Sequence, residues 1–376
     1  MRSFFHGQRS VLAASVMMLL FGVVTFAQSG RVTATPTPTP VDETLRVVTE
    51  EIKLNVLAFD EDGKFFRDVT DLDLVINENN ILHQPTSVRR LLANVLIVLD
   101  TGGEMRAVKS LDQTRKVARG VVEALRPGDS VAVMSYADKA EIIGEWTTDK
   151  AQAIAAIKRT TFGRRSVFVD AITLATEFLL KDPLENKHLV LITDGTDSQG
   201  RSSAKFDALQ RLLATDITVH VLSYTEMEAA DIEPRTKGIS KTPPRNAMPD
   251  EIVDTMPNGV KDMHKAPKIG PTISLDRTLI RKLKARKAEL EVSQQQLEQL
   301  AENTNGEFIL PATIDEMLDK SALVAKMIDA SYVVTYTPKI SVVETRGIAE
   351  RKIDVTSKRP GLIVQARRKL MIARPK

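Results

Sequence analysis

Two aspartates stand directly after apolar runs that are typical of buried strands. Asp100 follows Val95–Leu99, and Asp194 follows Leu189–Thr193. In an open parallel sheet, polar residues at the carboxyl ends of strands meet in a crevice where ligands bind. If these two strands are central neighbours, their carboxylates lie close together and offer hard oxygen ligands suited to Mg²⁺ or Mn²⁺.

The position of Asp100 also allows a different chemistry. An aspartate after an apolar strand can be the nucleophile of an aspartate-dependent phosphatase, which generally needs a second carboxylate two residues later as general acid. That position is Gly102 in this chain. A phosphatase-like hydrolase is therefore the weaker alternative, and we expect no catalytic activity.

The aspartates are positioned by strands and helices that are predicted to alternate along the chain between residues 93 and 330. Apolar runs separated by stripes at helical spacing predict a doubly wound, Rossmann-like α/β domain with a mostly parallel sheet and helices on both faces. Glu141–Trp146 is predicted to be an edge strand, and the Pro-rich segment 226–275 a flexible insertion. The predicted parallel strands are Val95–Leu99, Ser130–Tyr136, Leu189–Thr193, Ile217–Ser223 and Glu307–Leu310.

Two flanking segments, 45–92 and 331–370, alternate apolar and polar residues with the period of strands. Neither has enough strands to bury two sheet faces by itself. We therefore expect the two flanks to pair into one small antiparallel β-sandwich, into which the α/β domain is inserted.

The first residues resemble an export signal. Arg2 and Arg9 precede an uncharged apolar run, and Thr25-Phe26-Ala27 supplies small residues for cleavage, so residues 1–27 are predicted to be a signal peptide. A Thr/Pro-rich linker follows over 28–44. We expect a secreted, periplasmic or cell-envelope protein, with an uncleaved anchor helix as the alternative and the only predicted link to a membrane.

The overall composition excludes several classes of function. The 376 residues contain no cysteine, which removes disulfides, thiolate catalysis and cysteine-ligated metals. The 52 basic and 49 acidic residues leave a net charge of +3, too balanced to favour nucleic acid, and no phosphate-binding loop is present to favour a small-molecule substrate. A basic run at 277–287 is interpreted as a solvated helix face in preference to an anionic-lipid or nucleic-acid patch.

The order and spacing of several motifs resemble those of the von Willebrand factor type A domain. Over its whole mature length, the chain resembles the bacterial exported family built around that domain. The family motif is a strand ending in Asp-x-Ser-x-Ser, then a Thr about 65 to 70 residues later, then a strand ending in Thr-Asp-Gly. Here the matching positions are Asp100, Ser166 in place of the Thr, and Thr193-Asp194-Gly195. Weaker matches lie in the flanks, at Asp60-x-x-Gly63 and Tyr332–Pro338.

The resemblance implies a metal-ion-dependent adhesion site, but the two serine positions are Gly102 and Glu104. Gly102 offers no ligand, whereas Glu104 is either a substitute ligand or excess charge in a decayed site. We expect a degenerate site. If Mg²⁺ or Mn²⁺ binds, the ligands are Asp100, Glu104, Ser166 and Asp194.

The resemblance further implies a protein-binding or adhesion module whose partner is an unidentified protein. The expected contact surface is the carboxyl end of the sheet, formed by the loops 100–104, 163–166 and 194–197. A rigid envelope scaffold without metal is the non-catalytic alternative. The predicted contact residues are Thr101, Gly102, Gly103, Arg165, Thr196 and Asp197.

Overall fold

The computed structural model describes residues 51–103, 108–243, 253–340 and 349–372, which belong to one compact unit. The predicted signal peptide and linker lie outside them. The strands are β1 Ile52–Phe59, β2 Leu74–Glu78, β3 Ile81–His83, β4 Ser87–Arg89, β5 Asn94–Asp100, β6 Ser130–Tyr136, β7 Ala140–Thr147, β8 Lys187–Thr193, β9 Thr218–Ser223, β10 Ile239–Ser240, β11 Thr272–Ile273, β12 Phe308–Ile309, β13 Ser331–Tyr336, β14 Ala349–Ser357, β15 Ile363–Ala366 and β16 Lys369–Ile372. The helices are α1 Leu111–Ala124, α2 Lys150–Arg159, α3 Phe168–Lys181, α4 Ser202–Leu213, α5 Thr225–Ile232, α6 Asn258–Lys265, α7 Arg277–Asn303 and α8 Ile314–Asp329.

The central sheet has six strands in the order β12-β9-β8-β5-β6-β7. All its pairings are parallel except that of β7 with β6, which confirms the predicted antiparallel edge strand. Helices α1, α2 and α8 pack on one face of the sheet, while α3, α4 and α7 pack on the other. Both faces of the sheet are therefore buried, which explains why its strands are continuous apolar runs. The predicted doubly wound α/β fold is confirmed.

The two flanking segments build the predicted β-sandwich. Its sheets have the orders β15-β1-β13-β4 and β16-β14-β2-β3, and every pairing within them is antiparallel. The inward side chains of both sheets form a single core. The chain leaves the sandwich after β4 to form the α/β domain and returns to it at β13. Because β4 and β13 are neighbours, the two connections lie side by side.

Two local features of the structure depart from the pattern of the sequence. Leu72 does not continue the alternation of β2 but is 76% exposed. It lies in a 3₁₀ turn that Asp73 closes by accepting a hydrogen bond from the backbone N–H of Thr70 at 2.8 Å. The insertion at 226–275 also contains more regular structure than its proline content indicates, since its described residues include most of α5, all of α6 and the β10–β11 ladder.

The sandwich contacts the amino end of the central sheet through a chain of neutral polar groups. The Glu307 N–H donates to His220 Nδ1 at 3.1 Å, so the His220 proton lies on Nε2, 3.1 Å from His188 Nδ1. His188 Nε2 then donates to Asn186 Oδ1 at 2.9 Å, an atom that also accepts from Asn55 of β1 at 3.3 Å. These bonds tie β8 and β9 to the sandwich.

Candidate functional site

The two strand-end aspartates lie at the same edge of the sheet, as predicted. Asp100 is the last residue of β5, and Asp194 directly follows β8. The two strands are parallel neighbours, with Leu99 opposite Ile192 in register. Their carboxylates are therefore brought together by the sheet itself.

A lysine side chain lies between these carboxylates. Lys109 Nζ is 2.6 Å from Asp100 Oδ2 and 3.0 Å from Asp194 Oδ2. All three side chains are buried, with Lys109 only 1% exposed. Lys109 directly precedes Ser110, the N-cap of α1, so the start of that helix fixes its backbone. Two adjacent buried carboxylates repel each other, and the ammonium group between them reduces this repulsion by pairing with both.

The remaining oxygen atoms of the aspartates also have partners. Asp194 Oδ1 accepts from the N–H of Thr196 at 2.7 Å and from its hydroxyl at 2.6 Å. Asp100 Oδ1 accepts from the Gly102 N–H at 3.1 Å, and Asp100 Oδ2 accepts from the Thr193 hydroxyl at 3.3 Å. Buried carboxylates are stable only when such bonds accompany the ion pair. The cluster is thus a satisfied network.

A second cation and a third carboxylate extend the cluster. Arg286 Nη2 lies 3.4 Å from Asp194 Oδ2 and 3.0 Å from Glu228 Oε2. Its Nη1 lies 3.2 Å from Glu289 on the surface. Arg286 therefore connects the buried cluster on the sheet to helices α5 and α7.

The electrostatics of the cluster favour permanent charge on Asp194. Burial acts to raise the pKa of Asp194, but the charges of Lys109 and Arg286 outweigh it and hold the pKa well below its usual range. Burial, reinforced by the negative charge of Asp194, raises the pKa of Glu228 to about 7. Asp194 is therefore ionised at neutral pH, while Glu228 titrates there.

The described donor set does not fit a divalent cation. The two aspartates are already bound to an ammonium group, and the described residues contain no group of three or more His, Cys, Asp or Glu side chains arranged to hold a metal. A Cβ atom at Gly102 would lie 1.7 Å from the Arg165 carbonyl oxygen, so the family serine has no room there. The Ser166 hydroxyl donates to the Thr196 carbonyl at 3.1 Å. Glu104, the fourth predicted ligand, lies outside the described residues.

The predicted contact residues differ in their exposure. Arg165 is exposed and Gly103 is half-buried. The other four offer little surface to a partner in this conformation, because they are buried: Thr101, Gly102, Thr196 and Asp197. These four residues support the exposed loops through their own contacts. Asp197, for example, accepts from Arg201 Nη2 at 3.1 Å.

Sequence reasoning missed the two cations that hold this cluster. Lys109 has no motif of its own, and its pairing depends on how the chain returns from β5 to α1. Arg286 was included in the solvated basic run, although a spacing signal was available. It follows Leu283 by three residues and precedes Leu290 by four, and both leucines are buried. That spacing places Arg286 on the buried face of α7.

Comparison with protein families assigns the central part of the chain. Residues 95–196 match the family described as the von Willebrand factor type A domain. These residues include β5 except Asn94, all of β8 and both strand-end aspartates. This match agrees with the resemblance to the von Willebrand factor type A domain that the motifs indicated. A comparison with curated proteins returned no match.

Solved structures with a similar arrangement are distant in sequence. A von Willebrand factor type A protein from Catenulispora acidiphila has 11% identity and a TM-score of 0.41, covering 87% of this chain and 74% of its own. The conserved hypothetical protein BatB from Bacteroides thetaiotaomicron has 16% identity and a TM-score of 0.37, covering 62% of this chain and 98% of its own. An aerotolerance-related membrane protein from Bacteroides fragilis has 17% identity and a TM-score of 0.37, covering 63% of this chain and 98% of its own.

Proposed function

We propose that this chain is an exported, non-catalytic module that binds a protein partner at the carboxyl end of its sheet without a divalent metal. The observation that carries the proposal is the position of Lys109 Nζ, 2.6 Å from Asp100 and 3.0 Å from Asp194. Von Willebrand factor type A domains are generally protein-interaction modules. In this chain the ammonium group supplies the positive charge between the strand ends that a metal would otherwise provide.

The exposed surface above the cluster favours a partner with acidic side chains. Arg164 and Arg165 are exposed on the loop beside Gly102. The backbone N–H of Arg165 donates to Asp138 at 3.1 Å, which fixes the loop. Within the described residues the guanidinium groups of Arg164 and Arg165 have no ion-pair partner, so both are free to bind a carboxylate bidentately.

Burial of Asp100 argues against the phosphatase-like alternative. Its side chain is fully buried and bound to Lys109. A nucleophile must reach the phosphorus atom of its substrate, and Asp100 has no such access in this conformation. A non-catalytic role therefore requires no rearrangement of the cluster, whereas catalysis does.

Export is supported by the sequence of the first 27 residues. None of the helices in the described part of the chain is long and apolar enough to cross a membrane. The leader and the Thr/Pro-rich linker therefore carry this part of the proposal. N-terminal sequencing of the protein from its native host tests it, and a start at or near residue 28 is the expected result.

Metal titration tests the central claim. A site with a Kd one hundredth of the metal concentration would stabilise the fold by about 2.7 kcal/mol. We expect neither Mg²⁺ nor Mn²⁺ to change the melting temperature of the leaderless chain or to release heat in calorimetry. A stabilisation that EDTA reverses would overturn metal-independent binding. Lys109→Ala, which frees both carboxylates, is the matched variant and should gain an EDTA-reversible stabilisation by Mn²⁺.

Site-specific photo-crosslinking in the native host tests the surface. A crosslinker at position 165 should capture the same partner with and without EDTA, and Arg164→Glu should weaken that capture. The matched control is a crosslinker at Leu82, an exposed residue of β3 in the sandwich. Capture at Leu82 but not at position 165 would favour the scaffold alternative, and capture abolished by EDTA would restore a metal-dependent site.

A further inference from the structure

Exposed apolar side chains are concentrated in one short stretch of the chain. We define the basic-apolar surface as residues 237–243 and 253–284, which include β10, β11, α6 and the start of α7. It holds seven of the sixteen exposed large apolar side chains of the described residues. They are Ile239, Val260, Met263, Ile269, Ile273, Leu275 and Leu279. Isolated exposed apolar residues are ordinary, but such a concentration marks an interaction site.

The β10–β11 ladder places some of these side chains on one face. Ile239 is directly opposite Ile273 in register, and directly opposed side chains share a face of the ladder. They are 72% and 61% exposed. The Ser274 N–H donates to the Gly238 carbonyl at 2.9 Å, which extends the pairing. Leu275, two residues beyond the end of β11, is 87% exposed.

The same surface carries a large excess of positive charge. It contains nine lysines and arginines but only three aspartates, a net charge of +6. Asp254 is paired with Lys261 at 2.8 Å and Lys265 at 2.7 Å. Asp276 accepts from the first N–H groups of α7. The exposed cations with no carboxylate partner among the described residues are Lys241, Arg277, Arg281, Lys282 and Lys284.

Aliphatic side chains among unpaired cations match the chemistry of an anionic lipid bilayer. The apolar groups can enter the boundary between headgroups and acyl chains, while the cations remain at the level of the lipid phosphates. A nucleic acid would use the cations but would leave Ile239, Ile273 and Leu275 in water. We infer that the basic-apolar surface binds the protein peripherally to membranes rich in anionic lipid, a property separate from partner binding at the sheet end.

Co-sedimentation with vesicles tests this inference. The protein is the leaderless chain, residues 28–376, so that the apolar leader does not contribute to binding. We expect binding to phosphatidylcholine vesicles with about one third phosphatidylglycerol, and little binding to pure phosphatidylcholine, because several lysines and arginines act together. Binding should weaken strongly at high salt.

Two variants separate the two parts of the surface. The charge variant Arg281→Glu, Lys282→Glu, Lys284→Glu should lower the partition coefficient more than about tenfold. The apolar variant Ile239→Ser, Ile273→Ser, Leu275→Ser should lower it at both low and high salt. The matched charge control is Lys116→Glu, Lys158→Glu, Lys181→Glu, which reverses three exposed lysines elsewhere and should retain most of the binding. Equal melting temperatures confirm that each variant is folded.

Several outcomes would overturn the inference. These are no binding to the anionic vesicles, equal binding to both vesicle types, or equal losses in the charge variant and its control. Tighter binding to a single-stranded oligonucleotide than to the vesicles would assign the surface to nucleic acid instead. Failure of any of these tests leaves the metal and crosslinking tests at the sheet end unaffected, since the variants lie on different elements.

Discussion

The two ends of the central sheet bury polar groups by opposite means. At the carboxyl end, Lys109 is held between Asp100 and Asp194. At the amino end, His188 and His220 form a hydrogen-bonded pair at 3.1 Å. Burial lowers the pKa of His188 well below its usual range and that of His220 to about 3, so both are neutral at physiological pH.

The difference follows from what each end must do. At the amino end, which joins the sandwich, the bonds of the His188–His220 pair are directed and neutral, so this pair carries no desolvation cost of ions. The carboxyl end retains the aspartates of a ligand-binding fold, and these need a counter-charge once they are buried. The buried carboxylates at one end of the sheet are therefore stabilised by a balance of charges. The buried histidines at the other end are stabilised by the tautomers that let them hydrogen-bond.

The largest expected effect comes from removing the central cation. Lys109→Met leaves two buried carboxylates without their ammonium partner and should lower the free energy of unfolding by about 3–5 kcal/mol, measured by urea denaturation. Adding Asp100→Asn should recover part of this loss, because Asp100 has no other ion-pair partner among the described residues, whereas Asp194 still faces Arg286. Lys116→Met, at an exposed position of α1, is the control. A loss below about 1 kcal/mol for Lys109→Met would show that the cluster is not a tight ion pair.

Breaking the amino end should have a smaller effect. His188→Leu removes the donor to Asn186 and the acceptor for His220, and should lower the free energy of unfolding by about 1–3 kcal/mol. His264→Leu on α6 is the matched control. If His188→Leu proved as damaging as Lys109→Met, the contrast between charged and neutral ends would not hold.

Restoring the first serine of the family motif should destabilise the carboxyl end. Gly102→Ser brings a Cβ within 1.7 Å of the Arg165 carbonyl, so the loop at 163–166 must move. We expect a loss of about 1–3 kcal/mol and no gain of Mg²⁺ binding. Gly259→Ser, where the φ is not positive and a Cβ meets nothing within 4 Å, is the control for the loss of a glycine. Stabilisation of Gly102→Ser by Mg²⁺ would contradict the expected closure of the site.

The net pH dependence should be the smallest effect, because the contributions of the two ends have opposite signs and offset each other. The unfolded chain protonates its histidines below about pH 6.5 while the folded pair stays neutral, so stability falls by about 1.4 kcal/mol per pH unit per proton as the pH falls. Glu228 acts in the reverse direction. Its pKa is raised from 4.5 to about 7, so its contribution is present at low pH and is lost as the pH rises towards 7.

Two variants separate these contributions in denaturation curves between about pH 5 and 7. Glu228→Gln should steepen the loss of stability on acidification, because the opposing contribution is gone. His220→Gln should flatten it. Curves that superimpose on the wild type would show that neither group titrates as its burial indicates.

The fold could be predicted from the sequence more completely than the site. Continuous apolar runs indicated the parallel strands, and the short flanks indicated a shared sandwich, because burial dictates both patterns. The adjacency of Asp100 and Asp194 followed from strand ends alone. Lys109 could not be found in this way, since its contact depends on a loop whose path no periodicity encodes. The buried position of Arg286 could have been predicted from its spacing to Leu283 and Leu290. It was not, because the surrounding basic run was interpreted as a whole as a solvated helix face.

The threading of one domain through the other also determines an order of folding. Ile52 of β1 pairs with Tyr336 of β13, on the far side of the inserted domain in sequence. Contacts between such distant segments form slowly, because a long loop must close first. The strands of the α/β domain are close together along the chain, so this domain can assemble while β1 is still unpaired. During synthesis β1 therefore emerges before the inserted domain and pairs with β13 only after it, so the edges of β1 stay open to aggregation in the interval.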